Sequence, residues 1–235
     1  MSIRENVAII QELKDIVIAD LTLTLAFAIV YAGRLGGIIS LFSNPAKFAQ
    51  AFAYYLPMAF VAVSLVFVLH ELMHKFTAQH YGAIAGFKAS RNGLLITIAT
   101  GAFGFLLGIP GATVIYAHNF SKREMGIVAL AGPLVNFAIF AIFLALYFLA
   151  SPGSYVSSMF YFVMFVSILL AFFNMLPAYP LDGSKVLAWN KKIYAVSMLC
   201  IFALMYLFTG LPLSYIIMLV IIAYFISTMY RGIGF

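Results

Sequence analysis

The chain has 235 residues, of which 65% are hydrophobic and only 9% are charged, and its formal net charge is +6. So few charges cannot cover the surface of a soluble protein, in which roughly 25% of residues are charged. The composition excludes a soluble globular domain, a disordered chain and a free nucleic-acid-binding module. It predicts a multi-pass protein of the cell membrane. The excess of Lys and Arg is typical of cytoplasmic loops that follow the positive-inside rule.

Six apolar segments are long enough to span a bilayer as helices, which takes about 20 residues. They cover approximately residues 17–33, 53–80, 124–150, 155–177, 192–209 and 211–229. No soluble domain, long linker or internal repeat interrupts them. We therefore expect an all-α polytopic membrane protein with six transmembrane helices and a single domain, residues 1–235.

A seventh apolar stretch, residues 94–116, lies between the second and third segments and contains four glycines and one proline. If it does not cross the membrane and the N-terminus is inside, only Arg34 and Lys47 of the thirteen basic residues lie outside. If it crosses, eight of them lie outside, against the positive-inside rule. We therefore expect residues 82–118 to form a cytoplasmic-side hairpin or re-entrant segment, with both termini in the cytoplasm. Whether residues 94–116 are strand, helix or both stays open.

The second predicted span contains the sequence H-E-L-M-H at residues 70–74. His70 and His74 are four residues apart, so on a helix they project from the same face and can share one metal ion. Glu71 is placed to take a proton from the attacking water, a pattern typical of zinc metalloproteases. Burying ionisable side chains at membrane depth costs at least about 2.5–3.5 kcal/mol each on insertion scales. A metal site therefore explains this cluster better than two core histidines bonded to each other.

Asp182 is the candidate for a third ligand, since a catalytic zinc usually has three protein ligands. The six-span topology places it at the cytoplasmic end of the fourth span, level with the two histidines. Pro177 and Pro180 end the fourth span, and Gly183 permits a sharp turn. The alternative is that Asp182 is a simple turn residue at a helix end.

Three motifs follow one another along the chain: H-E-L-M-H at 70–74, A-G-P-L-V-N at 131–136 and N-x-x-P-x-x-P-L-D-G at 174–183. With these motifs, the chain resembles the site-2 protease family of intramembrane zinc metalloproteases over residues 53–192. The resemblance implies an endopeptidase that cleaves within or next to transmembrane helices, with this range as its catalytic core. It implies one zinc ion per chain on His70, His74 and Asp182, and Glu71 as the general base. We expect a minimal prokaryotic or archaeal-type member without a PDZ insertion or a C-terminal regulatory domain.

Two asparagines are candidates for contact with the substrate or the oxyanion. Asn136 matches a family position associated with this role, and it lies about ten residues, or 15 Å, inside the third span. A side-chain amide at that depth can stabilise a developing oxyanion, and an ordinary interhelical hydrogen bond is the equal alternative. Asn174 opens the third motif.

A second class of function would use the same residues in a non-proteolytic zinc-binding membrane protein, either a transporter or an inactive scaffold. Transporters often show paired halves with interrupted helices at corresponding places, and no such repeat is visible here. A pure binding site also does not need Glu71 between its ligands. The protease interpretation is therefore preferred. Its predicted partners are a transmembrane protein substrate and the lipid bilayer, without nucleic acid. The sequence leaves the oligomeric state open.

Overall fold

The computed structural model describes residues 3–106, 110–117, 119–209, 217, 220 and 221. Its regular elements follow one another along the chain. They are α1 (Ile3–Gly33), a 3-10 turn (Arg34–Gly36), α2 (Ile39–Ser43), α3 (Pro45–His80), β1 (Ile84–Ala89), α4 (Arg91–Ala102), β2 (Gly111–Tyr116), α5 (Lys122–Leu149), α6 (Tyr155–Asn174), α7 (Asp182–Trp189) and α8 (Lys191–Thr209).

Five helices in the described part of the chain are long and apolar enough to cross a membrane. They are Val7–Gly33, Pro45–His80, Lys122–Leu149, Tyr155–Asn174 and Lys191–Thr209. Each overlaps one of the first five predicted spans, so the prediction of a multi-pass membrane protein is confirmed. The sixth predicted span, 211–229, lies outside the described residues except at 217, 220 and 221.

Residues 84–116 combine strand and helix. β1 and β2 form a two-stranded sheet, and α4 lies in the connection between them. The Ser90 N–H donates to the Pro110 carbonyl over 2.8 Å. This bond joins the end of β1 to the start of β2, as in an antiparallel pair. The described chain is thus mostly helical, as the all-α class predicts, and the segment left open between strand and helix contains both.

Serine side chains cap the N-termini of three helices by accepting hydrogen bonds from backbone N–H groups in the first turn. Ser90 begins α4, Ser121 begins α5 and Ser154 begins α6. Ser121 also forms a complete capping box with Glu124. Such caps satisfy N–H groups that have no partner inside the helix, and this fixes where each helix starts.

The described chain divides into two compact units. The first comprises Met1–Glu71 and Ala85–Tyr116, and the second comprises Leu72–Ile84 and Ala117–Phe235. The dividing point falls inside α3, which continues without a break from Pro45 to His80.

In the first unit, α1 packs against α4 and also holds the edge of the small sheet. A Cβ at Gly101 would lie 2.9 Å from the Ala26 Cβ, so these two helices approach closely only because Gly101 has no side chain. The Glu12 Oε1 accepts a hydrogen bond from the Phe87 N–H over 3.1 Å. The Asp15 Oδ2 accepts one from the Ala89 N–H over 3.0 Å. These bonds cover the outer edge of β1, which would otherwise expose unpaired backbone groups.

In the second unit, α5 packs against α6 and α7, and α8 packs against α6 and α7. The centre is filled by apolar side chains such as Val128, Met164 and Phe172, each less than 3% exposed. A Cβ at Gly126 would lie 2.4 Å from the Trp189 Cβ, so this glycine is what lets Trp189 of α7 reach α5. This packing brings the start of α7 close to the last two turns of α3.

Candidate metal centre

Helix α3 carries both histidines of the motif. His70 is 1% exposed and His74 is 7% exposed, so both imidazoles are buried. The dividing point between the two units falls between them, but the helix itself is continuous and fixes their spacing at one turn. Glu71 is half-buried beside them.

Asp182 is the first residue of α7 and is 7% exposed. Its Oδ2 lies 3.0 Å from the His74 Nε2, and its Oδ1 lies 3.2 Å from the Lys185 Nζ. The next residue, Gly183, fixes this position, because a Cβ there would lie 2.1 Å from the Met175 carbonyl oxygen. The start of α7 therefore presses directly on the backbone that follows α6.

The ligand atoms of His70, His74 and Asp182 all lie within 4.8 Å of one another, and all three residues are buried. Two imidazole nitrogens and one carboxylate oxygen are a typical protein ligand set of catalytic zinc. The donor set and its burial therefore fit zinc.

A backbone carbonyl orients His74. The His74 Nδ1 lies 2.7 Å from the carbonyl oxygen of Val128 on α5. Since a carbonyl only accepts, Nδ1 must carry the proton, and Nε2 keeps the lone pair that a metal needs. Pro133 lies inside α5 just after this point and cannot donate a backbone hydrogen bond, which weakens the helical ladder in this part of α5.

Glu71 is held by Thr113 of β2. The Glu71 Oε2 accepts a hydrogen bond from the Thr113 N–H over 3.0 Å and one from the Thr113 hydroxyl over 2.9 Å. Both residues belong to the first unit. The small sheet therefore holds the side chain of Glu71 in position.

The two asparagines differ in placement. Asn136 is fully buried on α5, eight residues after Val128, and its role at the site stays a prediction. Asn174 ends α6, and its Nδ2 donates to the Leu170 carbonyl over 3.1 Å, a bond within its own helix. The group of candidate metal ligands does not include either of them.

Similarity to known proteins identifies the family of this chain. The model of "Peptidase family M50" matches residues 150–195, the range that holds Asn174 and Asp182. A protein of Methanocaldococcus jannaschii named "Putative zinc metalloprotease MJ0611" is 41% identical over 140 residues, which cover 59% of this chain and 73% of that protein. The chain belongs to peptidase family M50.

A second relative of this M50 peptidase, "Zinc metalloprotease MJ0392" of the same organism, is 28% identical over 130 residues. The match covers 54% of this chain and 32% of that relative's length. No solved structure matches the chain. The predicted resemblance is confirmed, and the M50 protein is a metalloendopeptidase.

Two contacts of the M50 site were not predicted from the sequence. No local sequence pattern identifies Thr113, because its contact with Glu71 joins residues 42 positions apart. The Val128 carbonyl is a backbone group, and only the nearby proline in the third span could have pointed to this turn of the helix. Both contacts act by orienting a side chain that the sequence did identify.

Proposed function

We propose that this M50 metalloendopeptidase is an intramembrane protease that hydrolyses peptide bonds within or next to transmembrane helices of membrane protein substrates. One observation carries the proposal: the buried candidate metal ligands His70 and His74 lie on α3, a helix long and apolar enough to cross a membrane. Ionisable side chains on such a helix are costly unless they serve a purpose. A substrate that reaches them must itself enter the membrane region.

The catalytic core in this proposal is residues 53–192 of a single domain, residues 1–235. His70, His74 and Asp182 would hold one zinc ion, the metal named in both relatives. Zinc bound there would supply a Lewis acid that polarises the scissile carbonyl. The His74 Nδ1–H bond to Val128 and the packing of Gly183 keep two of the ligands in place.

Glu71 is the general base in this mechanism. Its carboxylate takes a proton from a water molecule as the water oxygen attacks the scissile carbonyl carbon. When the C–N bond breaks, the same proton passes from Glu71 to the leaving amine, and the carboxylate returns to its charged form. This function requires a carboxylate beside the ligands and within reach of water, and Glu71 is half-buried rather than fully enclosed.

The asparagines have supporting roles in the proposal. Asn136 is a candidate to donate a hydrogen bond to the developing oxyanion, since a buried amide is preorganised for that task. Asn174 is a candidate for contact with the substrate, and its helix-capping bond would help to shape the segment before Asp182.

The proposed topology has six transmembrane helices with both termini in the cytoplasm. Residues 82–118, which contain the β1–α4–β2 segment, would then lie on the cytoplasmic side. In this topology most Lys and Arg residues face the cytoplasm, as the positive-inside rule predicts. The partners in this proposal are the lipid bilayer and a transmembrane protein substrate.

The test uses the full-length protein in vesicles with a transmembrane reporter. Glu71→Gln should lower the rate of cleavage by at least about a hundredfold, the usual contribution of a positioned general base. Metal analysis should still find close to one zinc per chain, because Glu71 is not a ligand. Glu124→Gln is the matched control, since Gln also completes the capping box at the start of α5 and Glu124 is neither a candidate ligand nor the proposed base.

Cleavage sites mapped by mass spectrometry decide where the enzyme acts. Sites within or next to the reporter's transmembrane helix support the proposal. Sites only in distant soluble loops contradict the intramembrane function, and near-normal cleavage by Glu71→Gln contradicts the mechanism. Bound zinc without any cleavage by the unmodified protein would favour the non-proteolytic alternative.

A further inference from the structure

Thr113 makes two hydrogen bonds to the same oxygen of Glu71. The backbone N–H and the hydroxyl both reach Oε2, over 3.0 and 2.9 Å. The hydroxyl also lies 3.2 Å from the Glu71 carbonyl oxygen. A hydroxyl has one proton, so it donates to one of these two oxygens at a time, whereas the N–H bond to Oε2 is constant.

The other carboxylate oxygen, Oε1, is in a different situation. Among the residues that the structure describes, no hydrogen bond reaches it. Thr113 therefore makes the two oxygens of Glu71 unequal: one is held by the protein and the other keeps its lone pairs. A general base needs a lone pair aimed at the proton that it removes, in a fixed position.

The strand that carries Thr113 is itself anchored. A Cβ at Gly111, the first residue of β2, would lie 2.5 Å from the Lys88 carbonyl oxygen, so the two strands meet closely here. On the neighbouring strand, the Phe87 ring packs edge-on against Phe67, with ring centroids 5.6 Å apart. Phe67 lies one turn before Glu71 on α3. The sheet is thus fixed to the same helix that carries the base, and Thr113 cannot move away freely.

We propose that Thr113 is a positioning residue for Glu71: it holds Oε2 so that Oε1 faces the reacting water. The proposal rests on the proposed role of Glu71 as the general base. A purely structural tie between β2 and α3 is the competing explanation. It predicts a loss of stability on removal of the hydroxyl, without a specific loss in the chemical step.

The test compares three variants of the full-length enzyme in cleavage of the transmembrane reporter. Thr113→Val keeps the shape and the backbone N–H but removes the hydroxyl, and we expect kcat to fall about tenfold with KM little changed. Thr113→Ser restores the hydroxyl and should recover kcat to within about twofold. Thr97→Val is the control, because it removes a buried hydroxyl bond to the Gly93 carbonyl in α4 and should leave kcat unchanged.

A second measurement does not depend on activity. Glu71→Ala removes the acceptor of the Thr113 N–H, so hydrogen exchange in a peptide that covers residues 111–116 should become about tenfold faster. Zinc content and melting temperature of Thr113→Val should stay close to those of the unmodified protein. Unchanged exchange, an unchanged kcat in Thr113→Val, or no rescue by serine would each overturn the proposal.

The proposed roles of Glu71 and Thr113 can be tested separately. If Glu71→Gln remains active, the role of Glu71 as the base is wrong, whatever Thr113 does. If Glu71→Gln is inactive while Thr113→Val is fully active, only the positioning role is wrong.

Discussion

The start of α7 and the α3–β2 contact each hold one carboxylate of the site, and they do so in opposite ways. Asp182 is 7% exposed and has a different partner on each oxygen, His74 on Oδ2 and Lys185 on Oδ1. Glu71 is half-buried, and among the described residues the hydrogen bonds to its carboxylate both come from Thr113 and both reach the single oxygen Oε2. One carboxylate is enclosed on all sides and the other is held on one side only.

This difference matches two different tasks. A metal ligand must keep a fixed position and stay charged, so burial against a cation favours it. A base must exchange a proton with water, so one oxygen has to remain accessible. Two chemically similar side chains thus acquire separate roles from their surroundings, a principle known from other hydrolases.

Asp182→Asn tests the enclosed carboxylate and should have the largest effect. Loss of a direct ligand should lower zinc affinity by at least about a hundredfold, since changes to groups behind the ligands already cost 10- to 100-fold. Cleavage should be lost in proportion. The measurement is zinc binding to the metal-free protein, alongside the melting temperature of the metal-free form, which should change little.

Glu71→Gln provides the contrast, because it should lose cleavage and keep zinc. If Asp182→Asn keeps its zinc, Asp182 is a turn residue and the comparison between the two carboxylates breaks down.

Gly183→Ala should have the next largest effect. Its Cβ would lie 2.1 Å from the Met175 carbonyl oxygen and 2.5 Å from that of Leu176, and a backbone cannot make room cheaply. We expect a loss of about 2–3 kcal/mol of stability, seen as a melting temperature lower by about 5–10 °C. Zinc affinity should also fall about tenfold, because the position of Asp182 shifts.

The matched control is Gly86→Ala in β1. The atoms nearest to a Cβ there belong to the Glu12 carboxyl group, at 3.5 Å or more, which is an ordinary contact. This variant should change stability by less than about 0.5 kcal/mol. Equal stability of the two variants would mean that the start of α7 is not under the steric constraint described here.

The parts of the structure that the sequence predicted correctly depend on local patterns. Five spans follow from uninterrupted apolar runs, and the spacing of His70 and His74 follows from one turn of a helix. Topology rather than spacing identifies Asp182 as the candidate third ligand. The structure brings it to 3.0 Å from His74, while its role as a ligand stays a prediction.

The parts that the sequence did not predict depend on contacts between distant segments. The bonds from Thr113 to Glu71 and from His74 to Val128 join residues 42 and 54 positions apart. The Thr113 N–H and the Val128 carbonyl are backbone groups, which every residue carries and which leave no mark in a sequence. The sequence also does not decide between strand and helix for α4, which connects the two strands, because Gly-rich apolar segments suit both equally.

Lys185→Met should have the smallest effect of these changes. It tests how much the charge of Lys185 contributes to holding the Asp182 carboxylate in place. Lys185 lies 3.2 Å from Oδ1, but its side chain is 36% exposed, and ion pairs of this kind contribute at most about 1 kcal/mol. The ammonium steadies the carboxylate and also repels a divalent cation beside it, so the two effects oppose each other. We expect zinc affinity within about fivefold of the unmodified protein, with cleavage changed no more than that. A loss as large as that of Asp182→Asn would mean that the enclosure of Asp182 depends on Lys185 rather than on burial and His74.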